Sequence, residues 1–254
     1  LQPPDLVHGF DVDGSMLALA NGVDGVTRVA IGDPAHPRPT ETFAVEDAQA
    51  VALAGDWVYA LSGDMGPQEI VVFPVDGSGG GVLPEGPVAA ASPYSLYVVE
   101  EADGYLYLAG HNYVGIADVT DPRSPNVVFE WEPPAATGNP ANVFVAQGIG
   151  YFSAGWDGLY IFDLADPASP TLLGHWPSPD WIIDLVVVDG IAYVAVGSAV
   201  ATVDVSDPAR PVTLGSVPSP GFAARLDAVP GWAFVGYLGE DGSLGGIGLV
   251  GATD

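Results

Sequence analysis

A short phrase, Asp-Pro-x-x-Pro, returns along this chain at a nearly constant interval. It reads "VAIGDPAHP" at 29–37, "IADVTDPRSP" at 116–125, "IFDLADPASP" at 161–170 and "VDVSDPARP" at 203–211. A second landmark, a short apolar stretch after a turn, keeps the same beat. Aligning "SMLALA", "WVYAL", "YLYLAG", "IGYFSAG", "IAYVAVG" and "WAFVGY" puts Leu17, Tyr59, Tyr107, Tyr151, Tyr193 and Phe234 in one column, at spacings of 42, 48, 44, 42 and 41 residues. The Asp-Pro landmark stays in step through Asp33, a degenerate Asp76, Asp121, Asp166 and Asp207. Self-similarity at a fixed period of this size is the mark of a repeat architecture. Six units, at about 5–43, 44–88, 89–134, 135–177, 178–218 and 219–254, use up the chain and predict a single domain over residues 1–254.

Each unit reads as β structure throughout. In the fifth, Asp189-Gly190 is a hairpin turn joining "DLVVV" to "IAYVAV". Gly197-Ser198 turns the chain into "AVATVDV", which alternates as a half-buried strand does. "SDPARP" then stops that strand, because proline has no amide proton and aspartate bonds to nearby backbone amides. "VTLGSV" supplies a fourth strand. Four antiparallel strands repeated six times at ~42 residues predict an all-β, six-bladed β-propeller. A β-helix has much shorter coils, and tandem sandwiches need about 100 residues per domain.

"GLYIFDLADPASP" and "AVATVDVSDPARP" resemble the repeats of the LVIVD-repeat family of bacterial and archaeal surface proteins. The resemblance is clearest in units three to five and poorest in unit two, where "IVVFPVDGSGGG" replaces the Asp-Pro phrase. It implies a propeller and an association with exported or cell-surface proteins. The family carries no accepted catalytic motif, so no active-site residue is transferred.

Composition narrows the partners. The 32 acidic residues face only five arginines and no lysine, for a net charge of −27. Such a surface repels nucleic-acid phosphates and anionic lipid heads, so neither nucleic acid nor membrane insertion is expected. The longest uncharged β-like run, Gly190 to Val203, is broken by glycine and shorter than the ~20 residues of a membrane helix. The absence of cysteine removes disulfides and thiolate metal sites. The chain opens on Leu1, and "LQPPDLVHGF" holds no signal-type apolar region. The expectation is an extracellular or cell-surface protein whose signal is already removed.

Several residue patterns are candidates for chemistry. Asp118 and Asp121, Asp163 and Asp166, and Asp204 and Asp207 recur three residues apart, and oxygen ligands suit Ca²⁺. Ca²⁺ needs six to eight oxygens, however, and "DVDGS" at 11–15 lacks the later glutamate of a calcium loop. No cofactor is expected, with Ca²⁺ the alternative. The repeated phrase itself reads as turn punctuation.

The innermost strand of each blade lines a propeller's channel. Counted six positions back from the first turn, it carries His8, Asn142, Asp184 and Arg225, with Gln49 close to the equivalent place. This polar set is the candidate ligand site at the channel mouth. The competing reading is that wet strand ends satisfy one another. The four histidines (8, 36, 111 and 175) lack HExxH spacing, no G-x-S-x-G elbow occurs, and "GSGGG" at 77–81 lacks the lysine of a phosphate loop. An enzyme is not expected, and a propeller hydrolase is the third reading. Several of the six tryptophans are expected to pack between blades, with carbohydrate platforms as the minority alternative.

Unit six runs "FAARLDAV", "WAFVGY" and "LGGIGLV" before "GATD", with Leu1–Asp5 aligning to a linker and not to a missing strand. Its outer strand is therefore expected to be missing. Ile247, Gly248, Leu249 and Val250 would form an open edge without the lysine or proline that usually blunts one. The leading expectation is an extracellular structural or adhesive protein that self-associates as a homo-oligomer or polymer, for instance a filament or surface layer. The rival is a monomeric surface module with a small ligand or glycan at the channel mouth.

Overall fold

The computed structural model describes residues 7–63, 69–75, 96–110, 112–134, 142–239 and 244–251. Leu1–Asp5, Asp76, the glycine-rich 77–81 segment and His111 lie outside the described residues. Among the described residues there are strands and no helix, arranged as six antiparallel sheets of three or four strands. The chain divides into two compact units, Leu1–Trp131 and Glu132–Asp254.

The first unit holds three sheets. Sheet one is β1 (Gly9–Asp13), β2 (Met16–Ala20), β3 (Val26–Ala30) and β4 (Arg38–Phe43), in that order. Sheet two is β5 (Ala48–Ala54), β6 (Trp57–Ser62) and β7 (Glu69–Pro74). Sheet three is β8 (Leu96–Ala102), β9 (Tyr105–Gly110), β10 (Tyr113–Asp118) and β11 (Asn126–Trp131).

The second unit repeats the plan. Sheet four is β12 (Val143–Ala146), β13 (Ile149–Ser153), β14 (Leu159–Asp163) and β15 (Thr171–Trp176). Sheet five is β16 (Ile182–Val188), β17 (Ile191–Val196), β18 (Ala199–Asp204) and β19 (Val212–Pro218). Sheet six is β20 (Phe222–Val229), β21 (Trp232–Leu238) and β22 (Leu244–Gly251), three strands among the described residues.

The predicted hairpin at Asp189-Gly190 is present: Val188 pairs with Ile191, and both turn residues have positive φ, 51° and 76°. Two left-handed residues in succession give the turn whose twist matches that of the flanking strands. Sheets one and two turn differently. There glycine comes first, in Gly14-Ser15 and Gly55-Asp56, and the second residue is not left-handed. This one-place difference matters for the site.

Packing follows from sheets stacked face to face. Strands β9 and β10 are buried almost throughout, whereas the fourth strand β19 is almost wholly exposed. Strands buried on both faces read as continuous apolar runs rather than alternating ones. Within the first unit, Ala18, Ala20 and Val26 of sheet one pack with Val51, Leu53, Val58 and Ala60 of sheet two. The opposite face of sheet two, with Tyr59, Leu61, Ile70 and Val72, packs on Leu106 and Leu108 of sheet three. Sheets four and five meet through Leu159, Ile161, Leu185 and Val194, and sheets five and six through Tyr193, Val200, Ala233 and Val235. Fully burying one such leucine or isoleucine stabilises by about 1.5–3 kcal/mol.

The Asp-Pro phrase is a doubly fastened turn. The amide of residue i+3 donates to the aspartate carbonyl at 2.9–3.0 Å for Asp33, Asp121, Asp166 and Asp207. The i+2 amide donates to the carboxylate at 3.1–3.2 Å in the same four turns. The aspartates three residues earlier are also occupied. Asp118 accepts the Thr120 amide at 2.9 Å and its hydroxyl at 2.7 Å, and Asp204 accepts the Ser206 amide at 2.9 Å and hydroxyl at 2.6 Å. These bonds hold both carboxyls below the ordinary carboxylate range. Asp163 accepts the Ala165 amide at 2.9 Å. Among the described residues no group of three or more His, Asp or Glu could hold a metal ion.

Candidate functional site

Strand register places the candidate channel-mouth residues. In every sheet, one inner-strand residue stands opposite the fifth residue of the second strand. These residues are Gly9, Ala50, Val98, Asp184 and Arg225, paired with Ala20, Leu61, Ala109, Ala195 and Gly236. Asn142 takes the same place in sheet four: its carbonyl accepts the Ser153 amide at 3.0 Å, and its amide donates to Ser153 Oγ at 2.8 Å. Asn142, Asp184 and Arg225 therefore share one register, all in the second unit. His8 does not share it. It precedes Gly9, its side chain is exposed, and its amide donates to Ala20 O at 2.9 Å. Gln49 is the bulged residue between Ala48 and Ala50. Counting back from glycine misplaces both by one residue, because in sheets one and two that glycine is the first turn residue and not the second. The same shift puts Ala18, not Leu17, in the column of Tyr59 and Tyr107.

Asp184 ties three sheets together. It is 4% exposed. Oδ1 accepts the Leu185 amide at 2.9 Å and the Asn142 side-chain amide, and Oδ2 accepts the Leu226 amide of sheet six at 2.7 Å. Asn142 belongs to sheet four, Asp184 to sheet five and Leu226 to sheet six, so one carboxylate bonds across both inter-sheet seams. Burial is the largest influence on its ionisation and pushes the carboxyl above its ordinary range. The Leu226 amide, the Arg225 charge, the Leu185 amide and Asn142 pull the other way. Arg225 Nη1 donates to Ala224 O at 2.9 Å and stays exposed. The first unit has a smaller version that the sequence reading missed: Asp11 accepts the Val12 amide at 2.7 Å and, across the seam, the Leu53 amide at 2.7 Å.

The raised pKa sets a pH dependence. Between the ordinary and the raised value, folded Asp184 keeps a proton that the unfolded chain has released. Its contribution to stability is therefore fullest below the ordinary carboxylate pKa of about 4 and falls as pH rises through the raised one. Paired urea titrations of the wild type and Asp184→Asn cancel the other titrating groups. The wild type's advantage in midpoint is expected to shrink as pH rises from about 4 and then level off. A pH-independent gap would show that Asp184 ionises alike in both states.

Sheet six carries the other candidate site. Ile247 and Leu249 are 80% and 58% exposed. Val250 is buried against Ala233 and Val235, and Gly248 lies so close to Val235 that a Cβ there would stand 3.0 Å from Cγ1. The four expected edge residues thus split by strand alternation: two face outward and two are part of the sheet's packing. Among the described residues β22 pairs only with β21, so one of its edges is open. The exposed face also includes Val229, Trp232 and Phe234, 43–48% exposed. Alternation in "WAFVGY" was the available signal for the last two.

The tryptophans divide between packing and exposed positions. Trp176 is buried, and its Nε1 donates to Thr213 Oγ1 of sheet five at 2.9 Å. Arg123 of sheet three lies over the Trp57 ring of sheet two at 5.4 Å. Trp156, 54% exposed, stands edge-on to Trp181 at 5.9 Å.

Comparison with known proteins agrees with this geometry. The LVIVD repeat pattern matches residues 99–132, 138–176 and 182–218. No curated protein matches the sequence. The WD40 β-propeller domain of Doa1 superposes with a TM-score of 0.71 at 12% identity, covering 97% of this chain and 83% of that one. A functionally unknown protein from Desulfotomaculum acetoxidans gives 0.68 at 12% identity, covering 100% and 92%. A candidate 6-phosphogluconolactonase from Bacteroides uniformis gives 0.71 at 12% identity, covering 96% and 88%. At such identities the likeness concerns the fold alone. The chain carries three LVIVD repeats, following one another between residues 99 and 218, and has the β-propeller fold.

Proposed function

We propose that this protein is an extracellular structural subunit that self-associates through sheet six. The observation that carries the reading is the apolar face of that sheet turned away from sheet five. Within the second unit, Val229, Trp232, Phe234, Ile247 and Leu249 stand exposed together beside a strand edge that has no partner among the described residues. Contiguous exposed apolar surface of this kind marks an interaction site, and an open edge adds the capacity for strand pairing. The rival reading, a small ligand at the inner-strand ends, has lost part of its footing. Asn142 and Asp184 bond to each other and to neighbouring amides, which leaves Arg225 and His8 as that reading's exposed polar candidates.

The test is particle mass by light scattering, with negative-stain microscopy, for the wild type and for the pair Ile247→Glu, Leu249→Glu. The wild type is expected to form particles well above 26.0 kDa. The double variant is expected to associate at least about a hundredfold more weakly, because burying an unpaired carboxylate costs several kcal/mol. Its unfolding midpoint should hardly change, since both side chains are exposed in the single chain. Copies of net charge −27 repel one another. Assembly is therefore expected to strengthen as salt rises to about 1 M, where the screening length falls to about 3 Å. A wild-type monomer at every concentration and salt would sink the proposal.

A further inference from the structure

We infer that the second unit carries a binding site for a neutral oligosaccharide, in two joined grooves at the strand ends of sheets four, five and six. The site uses other residues than the exposed face of sheet six and does not depend on self-association.

The phrase Pro-Ser-Pro occurs at 177–179 and again one repeat later at 218–220. Each copy lies where the fourth strand of one sheet gives way to the first strand of the next, β15 to β16 and β19 to β20. Each also borders a groove. The first, of about 620 Å³, runs between Pro177–Pro179 and the β17–β18 turn at Ser198, with Thr213 and Ser216 of β19 along its side. The second, of about 560 Å³, lies between Ser219, Pro220 and the end of β21 at Leu238. Ser198 lines both, so one groove continues into the other. Ligand sites have volumes of about 300–1,000 Å³. Two such grooves in line suit a chain of several sugar units rather than a single ring.

The lining sets the chemistry. Trp176 forms an apolar wall of the first groove, its ring held by the Nε1 bond to Thr213 Oγ1 at 2.9 Å. Phe222, 45% exposed, does the same in the second. Such surfaces accept the C–H faces of sugar rings, while a few placed polar groups fix their orientation. Here those groups are hydroxyls and one carboxylate. Thr213 Oγ1 accepts from Trp176 and keeps its own proton to donate. Ser198 Oγ and Ser216 Oγ have no partner among the described residues. Asp180 commits Oδ1 to the Trp181 amide at 2.7 Å. Its Oδ2 overhangs Gly197, next to Ser198, where a Cβ would stand 2.7 Å from it. Ser178 Oγ donates to Asp180 O at 2.6 Å, whereas its counterpart Ser219 has a buried Oγ without a partner.

Hydroxyls that both donate and accept, beside a carboxylate that only accepts, match the needs of sugar hydroxyls. Among the described residues no arginine or histidine lines either groove, and Asp180 is the only charged residue that does. A phosphate, sulfate or uronate would meet a negative charge and no positive one, in a chain of net charge −27. The ligand is therefore neutral.

The test is isothermal titration of the whole chain with maltohexaose, cellohexaose and mannohexaose, and with hexagalacturonate and a hexa-arginine peptide as charged probes. At least one neutral hexasaccharide is expected to bind, and equally well at about 0.1 and 1 M salt, where the screening length falls from about 10 to about 3 Å. Ser198→Trp and Ser216→Trp fill the first groove from two exposed positions, so their unfolding midpoints should hardly move. Each is expected to weaken binding at least about tenfold, and the pair covers the case in which one folds poorly. Asp180→Ala is expected to weaken it about tenfold, while Asp180→Asn, which keeps an acceptor, stays within about threefold. Sugar binding that survives both tryptophan variants would overturn the assignment. Hexagalacturonate binding as tightly as the neutral sugars would overturn the ligand's neutrality. Binding of hexa-arginine alone, lost at high salt and in Asp180→Asn, would replace the oligosaccharide with a basic peptide. Silence from every probe would remove the site.

Discussion

Replacing Asp184 with alanine is expected to lower the thermal unfolding midpoint by about 10 °C, the largest effect of any single polar side chain described here. The substitution strips the acceptor from the Leu185 amide, the Leu226 amide and the Asn142 side chain. A buried donor left without a partner costs about 1–3 kcal/mol. Part of this is offset, because the variant no longer holds a carboxylate whose ionised form burial penalises. The balance is about 3 kcal/mol, at roughly 2–4 °C per kcal/mol for a chain of this size. Two other aspartates grade the effect. Asp11 bonds across one seam and is half-buried, so Asp11→Ala should cost about 1 kcal/mol. Asp227 makes one local bond and is exposed, so Asp227→Ala should stay within about 0.5 kcal/mol. Melting followed by near-UV circular dichroism orders the three. Equal midpoints for Asp184→Ala and Asp227→Ala would show that the seam bonds contribute nothing beyond local capping.

What the sequence disclosed was set by where each signal lives. Strand type, hairpin turns and repeat number are local: Asp189-Gly190 between two apolar runs needs no tertiary information to be read as a hairpin. The family was legible for the same reason, through "IFDLADPASP" and "VDVSDPARP". Register was less accessible. Gly14 and Gly55 look like the glycines of Asp103-Gly104 and Asp189-Gly190, yet they occupy the other turn position. The resulting slip of one residue takes His8 out of the register of Asn142, Asp184 and Arg225, since strand neighbours point to opposite faces. The bulges that displace Gln49 and Ile183 have no composition signature of their own. Asp184 was found as a polar inner-strand residue, but its role as an inter-sheet tie depends on an amide 42 residues away. At sheet six the last described strand was visible in "GGIGLVG", while which side chains face away from sheet five followed only from the pairing of β22 with β21.

Gly174→Ala is expected to cost about 3 kcal/mol or more, and Gly215→Ala close to nothing, although the two glycines are counterparts. Each lies in the fourth strand of its sheet just beyond a bulge, Gly174 opposite Ile161 and Gly215 opposite Thr202. Neither has the left-handed backbone that would exclude alanine, so the contrast isolates space from conformation. A Cβ on Gly174 would stand 2.1 Å from the Pro208 carbonyl oxygen of sheet five, far inside any real contact. That oxygen has little room to retreat. Pro208 sits in the Asp-Pro turn, where Asp207 accepts the Arg210 amide at 2.9 Å through its carbonyl and the Ala209 amide at 3.2 Å through its carboxylate. At Gly215 the nearest atom to such a Cβ is Thr202 Oγ1, at 3.8 Å. Alanine there fits, and it lowers the entropy of the unfolded chain by a few tenths of a kcal/mol. Urea unfolding of both variants measures the difference. A large loss at Gly174 with none at Gly215 would assign the Asp-Pro turn of sheet five a second role besides ending its strand: a fixed backbone surface on which the preceding sheet packs. Equal, small losses would mean that the turn yields, and the phrase would then serve its own hairpin alone.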